Sequence, residues 1–147
     1  MAKSINNMKD LEKALQPVLL GMVDEMTERV YQTLNYFLQE YYNSYNPKSY
    51  RRQFDFLRSA VKTKAKMSGN KVVASVYIDT DAMDDYYNAT GYEVAAWANR
   101  GLHGGLDTGS NTPHVWDDTL DETVNNGELL KLAVDYLRSK GITVTNF

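Results

Sequence analysis

The sequence of 147 residues carries a net charge of −3, with 43% hydrophobic and 24% charged residues, which is the size and composition of one globular domain. It contains no cysteine and two histidines, which excludes disulfides, a cysteine nucleophile and a multi-histidine metal site within one chain. No apolar run approaches the roughly 20 residues that span a bilayer, and the first residues lack the apolar stretch of a signal peptide. We therefore expect a single domain over residues 1–147 that is neither secreted nor bound to a membrane.

The charges are distributed unevenly along the chain. Residues 48–71 contain eight Lys or Arg and one Asp, a net charge of +7, whereas residues 79–128 contain eleven Asp or Glu and one Arg, a net charge of −10. One interpretation is two solvated faces of opposite sign. The other is that the basic surface of one copy binds the acidic surface of an identical neighbour. Contacts between unlike surfaces of identical chains can close into a ring.

A long helix over residues 8–44 is predicted from apolar side chains spaced by three or four residues. This apolar stripe comprises Leu11, Leu15, Leu19, Met22, Met26, Val30, Leu34, Phe37 and Tyr41. Asn7 is placed to cap the first turn, and Pro17 predicts a kink or a break because it lacks an N–H and clashes with the preceding turn. Such a helix would be about 50 Å long, which exceeds the diameter of a domain of this size. Part of it is therefore expected to lack covering by its own chain.

The segment at the end of this helix is rich in aromatic and basic side chains, namely Tyr41, Tyr42, Tyr45, Tyr50, Arg51 and Arg52. Tyrosine offers a large apolar area with a polar tip, and arginine stacks on rings or pairs with carboxylates. One interpretation is a helix end packed onto the core. Single-stranded nucleic acid is also bound by aromatic residues interleaved with basic ones, so this second interpretation stays open.

A β-hairpin is predicted over residues 57–79. Three lysines alternate with smaller side chains in its first strand and are expected on a solvated face, and Ser68-Gly69-Asn70 has the composition of a turn. The return strand is rich in β-branched residues and places Val72, Ala74, Val76 and Ile78 on one face.

The second half of the chain predicts a helix over 92–100 closed by Gly101, a glycine-rich loop over 101–115, an amphipathic helix over 128–140 and a strand over 142–146. Together these elements predict an α+β fold. In it, the long N-terminal helix packs on a small antiparallel sheet, made of the hairpin and the C-terminal strand, beside a C-terminal helix.

The sequence contains no motif for catalysis or for a bound cofactor. His103, Asp107, His114 and Asp117 could gather a divalent metal ion. The two histidines, however, are not four residues apart on a helix, and a long loop orders ligands poorly. We therefore favour a plain polar loop and expect no cofactor.

Several segments occur in the order found in one known family. They are residues 8–13 at the start of the long helix, the segments 40–52, 56–60, 76–79 and 97–105, and Trp116-Asp117 before the closing helix and strand. In this order the chain resembles a family of small tailed-bacteriophage proteins, the head–tail connector or tail-completion proteins.

The resemblance implies a structural virion protein without enzymatic activity. Such a protein would form a homo-oligomeric ring in the neck between capsid portal and tail, as a head–tail connector or a tail terminator, and would be found in the virion and, during assembly, in the host cytoplasm. Its partners would be further copies and other neck and tail proteins, and double-stranded DNA would pass through the ring without sequence-specific binding. The expected assembly interface comprises Tyr41, Tyr42, Tyr45, Tyr50, Arg51, Arg52, His103, Asp107, His114 and Trp116.

Two alternative functions remain open on the sequence. One is a small metal-dependent nuclease or hydrolase that uses His103 and His114. The other is a phage nucleic-acid-binding regulator that uses the basic residues of 48–71, whose affinity would fall steeply with salt.

Overall fold

The computed structural model describes residues 4–45, 54–83, 89–103, 107 and 111–145. In chain order its elements are helix α1 (Met8–Asn43), strands β1 (Ala60–Lys62), β2 (Lys66–Ser68), β3 (Lys71–Val73) and β4 (Val76–Ile78), and helices α2 (Gly91–Asn99), α3 (Val115–Leu120), which continues as a π-helical segment (Asp121–Asn125), and α4 (Glu128–Ser139). The predicted α+β class is confirmed: a long N-terminal helix carries a small antiparallel hairpin and the C-terminal helices.

Helix α1 begins where its cap was predicted. The Asn7 side-chain oxygen accepts a hydrogen bond from the Asp10 amide at 2.9 Å, which satisfies one of the free N–H groups of the first turn. Pro17 lies inside the helix and does not end it, so a break at this position was a wrong expectation. A proline inside a helix costs about 3 kcal/mol, and the packing of the long amphipathic segment that follows outweighs this cost.

The four strands belong to one long hairpin that is interrupted in the middle. Strand β1 pairs with β4 and strand β2 with β3, both antiparallel, and the tip is the predicted turn, with Gly69 at a φ of 62° that favours glycine. Between the two pairs, residues 63–65 lie opposite residues 74–75, so one strand carries an extra residue as a β-bulge. The bulge breaks the alternation of the first strand, whereas the return strand alternates between exposed and half-buried side chains from Lys71 to Ile78 as predicted.

The bulge attaches the hairpin to α1. The Ala65 amide donates a hydrogen bond to the Asp24 carboxylate at 2.7 Å. One turn further along the helix Glu28 forms a salt bridge with Lys62, whose ammonium lies 5.1 Å from the centre of the Tyr31 ring. The three helix residues are spaced four and three apart and therefore share one face of α1. Lys62 thus contacts the helix, although its side chain remains 44% exposed, and Lys64 and Lys66 are exposed as predicted.

The core lies against the C-terminal half of α1. Leu34 and Leu38 are fully buried and contact Phe56 and Ala60 before and in β1, Ala98 of α2 and Val115 of α3. Buried threonines of α3 and the π-helical segment satisfy their hydroxyl groups within their own helix: Thr119 donates to the Val115 carbonyl at 2.7 Å and Thr123 to the Thr119 carbonyl at 2.6 Å. Their polar atoms can therefore be buried without the penalty of a lost hydrogen bond.

Helix α4 packs on α1 beside Gly21, where a Cβ would overlap the Tyr136 hydroxyl. The prediction of a strand over residues 142–146 is wrong. Residues 142–145, the part of this range that the structure describes, pair with no strand. The Ile142 amide instead donates to the Leu137 carbonyl at 3.0 Å, and the Val144 carbonyl accepts from Arg138 at 3.4 Å. Both bonds keep this segment at the end of α4 rather than beside the hairpin.

We expect Asp24→Ala to loosen the hairpin from α1. The substitution leaves the Ala65 amide without its acceptor, which should lower the free energy of unfolding by about 1–2 kcal/mol. Hydrogen exchange measured by NMR should show faster exchange of the Ala65 amide. Glu25→Ala removes a neighbouring exposed carboxylate and should change neither quantity. An unaltered exchange rate in Asp24→Ala would contradict the attachment.

The Glu28–Lys62 pair predicts a small dependence of stability on pH. The hydrogen bond from Lys62, assisted by one from Gln32, holds the Glu28 pKa below its ordinary value of 4.5. A carboxyl whose pKa is lower in the folded state stabilises the fold above the ordinary value and loses this contribution as the pH falls through the folded-state pKa. Urea unfolding should therefore show Glu28→Gln less stable than the parent at neutral pH. This difference should disappear in acid well below 4.5, and a difference that persists there would exclude the ion pair as its source.

Candidate functional site

Six ring side chains form a cluster at the C-terminal end of α1, here called the aromatic joint: Tyr41, Tyr42, Tyr45, Phe54, Phe56 and His103. Tyr41 meets Phe56 edge to face with ring centres 5.5 Å apart, and Tyr42 stacks on Phe54 at 5.6 Å. Such pairs add about 0.5–1.5 kcal/mol each beyond burial alone. The joint therefore fixes the chain on both sides of residues 46–53, which connect α1 to the hairpin.

His103 is the polar centre of the aromatic joint. Its buried ring stacks on Tyr41 at 4.3 Å, and its Nε2 atom lies 3.0 Å from the Ser44 hydroxyl and 3.4 Å from the Thr112 hydroxyl. The Tyr41 hydroxyl donates to the carbonyl of the preceding residue, Leu102, at 2.7 Å. These contacts tie the end of α1 to the chain that follows α2, and they give His103 a structural position inside the chain.

Asn99, the last residue of α2, caps the first turn of α3. Its side-chain oxygen accepts hydrogen bonds from the Trp116 amide at 2.9 Å and the Asp117 amide at 2.8 Å. This one oxygen thus satisfies two of the N–H groups that a helix start leaves free. The Asn99 carbonyl lies 3.0 Å from Nδ1 of His114. Because a carbonyl only accepts, Nδ1 is the protonated nitrogen of that ring.

The chain can turn tightly between α2 and α3 because Gly101 follows α2 with a φ of 73°, as the predicted helix end requires. The Gly101 amide donates to the Ala98 carbonyl at 3.0 Å and the Leu102 amide to the Trp97 carbonyl at 2.9 Å. This pair of bonds is the Schellman arrangement that closes many helices.

The residues expected at an assembly interface differ in their surroundings. Tyr41, Tyr42 and His103 are buried within the chain, so they shape the aromatic joint and do not themselves offer surface to a partner. Among the other predicted residues Tyr45 and Trp116 are half-buried, Asp107 and His114 are exposed, and Tyr50, Arg51 and Arg52 lie outside the described residues. Their assignment to an interface stays a prediction.

The candidate metal ligands are not gathered into a site. Within the ranges that the structure describes, no group of three or more His, Asp or Glu side chains is arranged to hold a metal ion. Nε2 of His103 faces hydroxyl groups and Nδ1 of His114 faces a carbonyl, so each ring already contributes to local structure.

The N-terminal half of α1 and the hairpin tip enclose an apolar groove, here called the helix groove. It has a volume of about 630 Å³, and its apolar lining comprises Leu15, Leu19, Met22, Val23, Met67 and Val72. No residue of α1 before Thr27 is buried, and Met67 remains 39% exposed. The part of the long helix that was predicted to lack covering by its own chain is therefore the N-terminal half.

The spacing of the apolar stripe explains why this half stays open. From Leu11 to Tyr41 the stripe makes eight steps in 30 residues, a mean spacing of 3.75 residues. An α-helix has 3.6 residues per turn, so the stripe rotates by roughly 120° around α1 between its two ends. When its C-terminal half faces the core, its N-terminal half points to the side, where the hairpin tip covers it only in part.

Sequence reasoning missed the helix groove and the Asn99 cap. The groove could have been found from the 3.75-residue spacing, because a stripe with that period cannot face one partner over the whole helix. The Asn99 cap has no local signal, since its partners are 17 and 18 residues away.

The fold defines a small α+β protein built on one long, incompletely covered helix. The model of the YomN family matches residues 7–139, and the chain belongs to this family. The family name is derived from a Bacillus phage, which associates the chain with phages. No curated protein and no solved structure matches the chain significantly. Among the residues with a described structure, no helix combines the length and apolar content needed to cross a bilayer.

We expect Asn99→Ala to destabilise the α2–α3 connection by about 1–2 kcal/mol, because two helix-start amides lose their acceptor. Asn99→Asp keeps an oxygen acceptor and should retain most of the stability. Asn43→Ala, at the end of α1, alters only exposed contacts with Gln39 and Glu40 and serves as the matched control. Chemical denaturation followed by circular dichroism measures all three, and equal effects of the two alanine variants would contradict the capping role.

Proposed function

We propose that this chain is a structural component of a tailed-phage particle that forms a homo-oligomeric ring in the neck, as a head–tail connector or a tail terminator. The observation that carries the proposal is the helix groove, an apolar surface on the main structural element that the described residues leave uncovered. The family match supports the association with phages, and the order of sequence segments supports the position in the neck.

Exposed apolar surface of this kind favours association. Burying a Leu or Met side chain completely is worth about 1.5–3 kcal/mol, and the groove side chains Leu15, Leu19 and Met22 are only half-buried. A neighbouring chain that covers them gains the remainder. Large exposed apolar patches on soluble proteins commonly mark interaction sites.

The aromatic joint supports a second set of contacts. It fixes Tyr45 and Phe54, on either side of residues 46–53, and His103, directly before residues 104–106. We assign residues 46–53, which include Tyr50, Arg51 and Arg52, and residues 104–106 to contacts with other neck and tail proteins. In such a ring, double-stranded DNA would pass through the lumen without sequence-specific binding.

The alternative functions have less support. A metal-dependent nuclease or hydrolase would need His103 and His114 as ligands, and their rings already face Ser44, Thr112 and the Asn99 carbonyl. A nucleic-acid-binding regulator would use the lysines of the hairpin, of which Lys62 is paired with Glu28.

We expect the purified chain to form a discrete oligomer in size-exclusion chromatography with light scattering, and we expect Met67→Asp to shift it towards the monomer. An aspartate in the helix groove would place a charge against the apolar surface of the neighbour. Tyr77→Asp changes an exposed aromatic residue of the same hairpin outside the groove and should leave the oligomer unchanged. Circular dichroism confirms that both variants are folded.

The same proposal requires the chain in the particle. Mass spectrometry of purified phage particles should detect it, and electron microscopy should place a ring between capsid and tail. A chain that is strictly monomeric and absent from particles would refute the proposed function.

A further inference from the structure

We infer that the helix groove of one copy receives the acidic helical segment 115–125 of a second copy, in a head-to-tail contact. This inference rests on the proposed function and makes it specific, because it names both surfaces of the contact between subunits. It follows from the charges that surround the groove and from the charges and apolar side chain of that segment.

The rim of the helix groove is basic. Lys9 and Lys13 of α1 line it together with one acid, Glu12. Both lysines are exposed, and neither forms a salt bridge with another described residue. An occupant of this groove therefore needs apolar atoms for the floor and carboxylates for the rim.

The segment 115–125 has this composition. It contains four acids and no basic residue, and Asp117, Asp121 and Glu122 point into solvent beside Val124, which is 51% exposed. None of these acids forms a salt bridge within the described part of the chain. Val124 can enter the apolar floor while the flanking carboxylates meet the lysines of the rim, which is the charge complementarity that selects one partner over others.

The two surfaces cannot meet within one copy. The helix groove lies along residues 9–23 of α1, whereas Glu122 lies beside Arg29, Gln32 and Tyr36. The two surfaces are thus separated by roughly 25 Å along the helix, at 1.5 Å per residue. Unlike surfaces held apart on one rigid helix join copies head to tail, and such contacts form a ring when the rotation between subunits closes.

The apolar floor favours a protein occupant over nucleic acid, because a polyanion gains nothing from covering leucine and methionine side chains. The chain's own acidic segment, present at the same concentration as the groove, is the occupant that the charges select. An acidic helix of a different phage protein is distinguished from it by the experiment below.

The experiment exchanges the charges of the two surfaces in the full chain. One variant carries Lys9→Glu and Lys13→Glu, and the other carries Asp121→Lys and Glu122→Lys. Each alone should associate at least tenfold more weakly than the parent in analytical ultracentrifugation, because like charges then face each other. Mixed in equal amounts, they should associate again, since each groove then meets a segment of opposite charge.

A matched control reverses two charges on the exposed face of α4, with Lys131→Glu and Asp135→Lys, and should associate like the parent. Circular dichroism and thermal unfolding show whether each variant is folded. Association that is lost in the groove variant but kept in the acidic-segment variant overturns the inference and points to a different occupant. Parental association in both variants also overturns it.

Incorporation into phage particles is measured separately and tests the proposed function. If the chain is found in particles but its association is unaffected by these charge changes, the proposed function stands and this contact is refuted. A chain that neither associates nor enters particles removes both.

Discussion

The packing of the C-terminal half of α1 against the rest of the chain is the interaction on which the structure depends. The hairpin, α3 with its π-helical continuation and α4 all contact α1, and Leu34 and Leu38 of this helix are its fully buried centre. The strands are three residues long, too short to be stable as a separate sheet in water. Burial against α1 therefore stabilises the hairpin, α3 and α4, while α2 is connected to α3 through the hydrogen bonds of Asn99.

The apolar stripe winds around α1, so the two halves of the helix direct their apolar side chains towards different surroundings. The half around Leu34 faces the core, and the half around Leu19 turns towards the side and forms the floor of the helix groove. If the apolar residues were spaced closer to 3.6 residues apart, the whole stripe would lie on one face of the helix. A larger core would then be needed to cover it. With the observed period, a chain of 147 residues builds a core and leaves apolar surface on the other half of the helix, which we propose binds a neighbouring copy.

Polar bonds over long sequence distances fix the small elements in place. Asp24 holds the bulge at Ala65, Asn99 holds the start of α3, and His103 holds the chain after α2 against the end of α1. In the proposed ring, the spacing between the two proposed contact surfaces of each subunit would determine whether the ring closes. A long helix with its attachments fixed in this way would keep that spacing the same in every copy.

The sequence by itself determined the features that depend on neighbouring residues: the cap at Asn7, the turn at Gly69, the alternation of the return strand, the end of α2 at Gly101 and the long helix. Helix and strand periodicity and capping chemistry are local, so they can be read without knowing what packs where. Only the tertiary structure decided the continuity through Pro17, the absence of a strand at residues 142–145, the bulge contact of Asp24, the cap from Asn99 and the burial of Tyr41 and His103 away from any interface. Each of these depends on which groups meet across the fold, and burial or a distant hydrogen-bond partner can outweigh a local preference by a few kcal/mol.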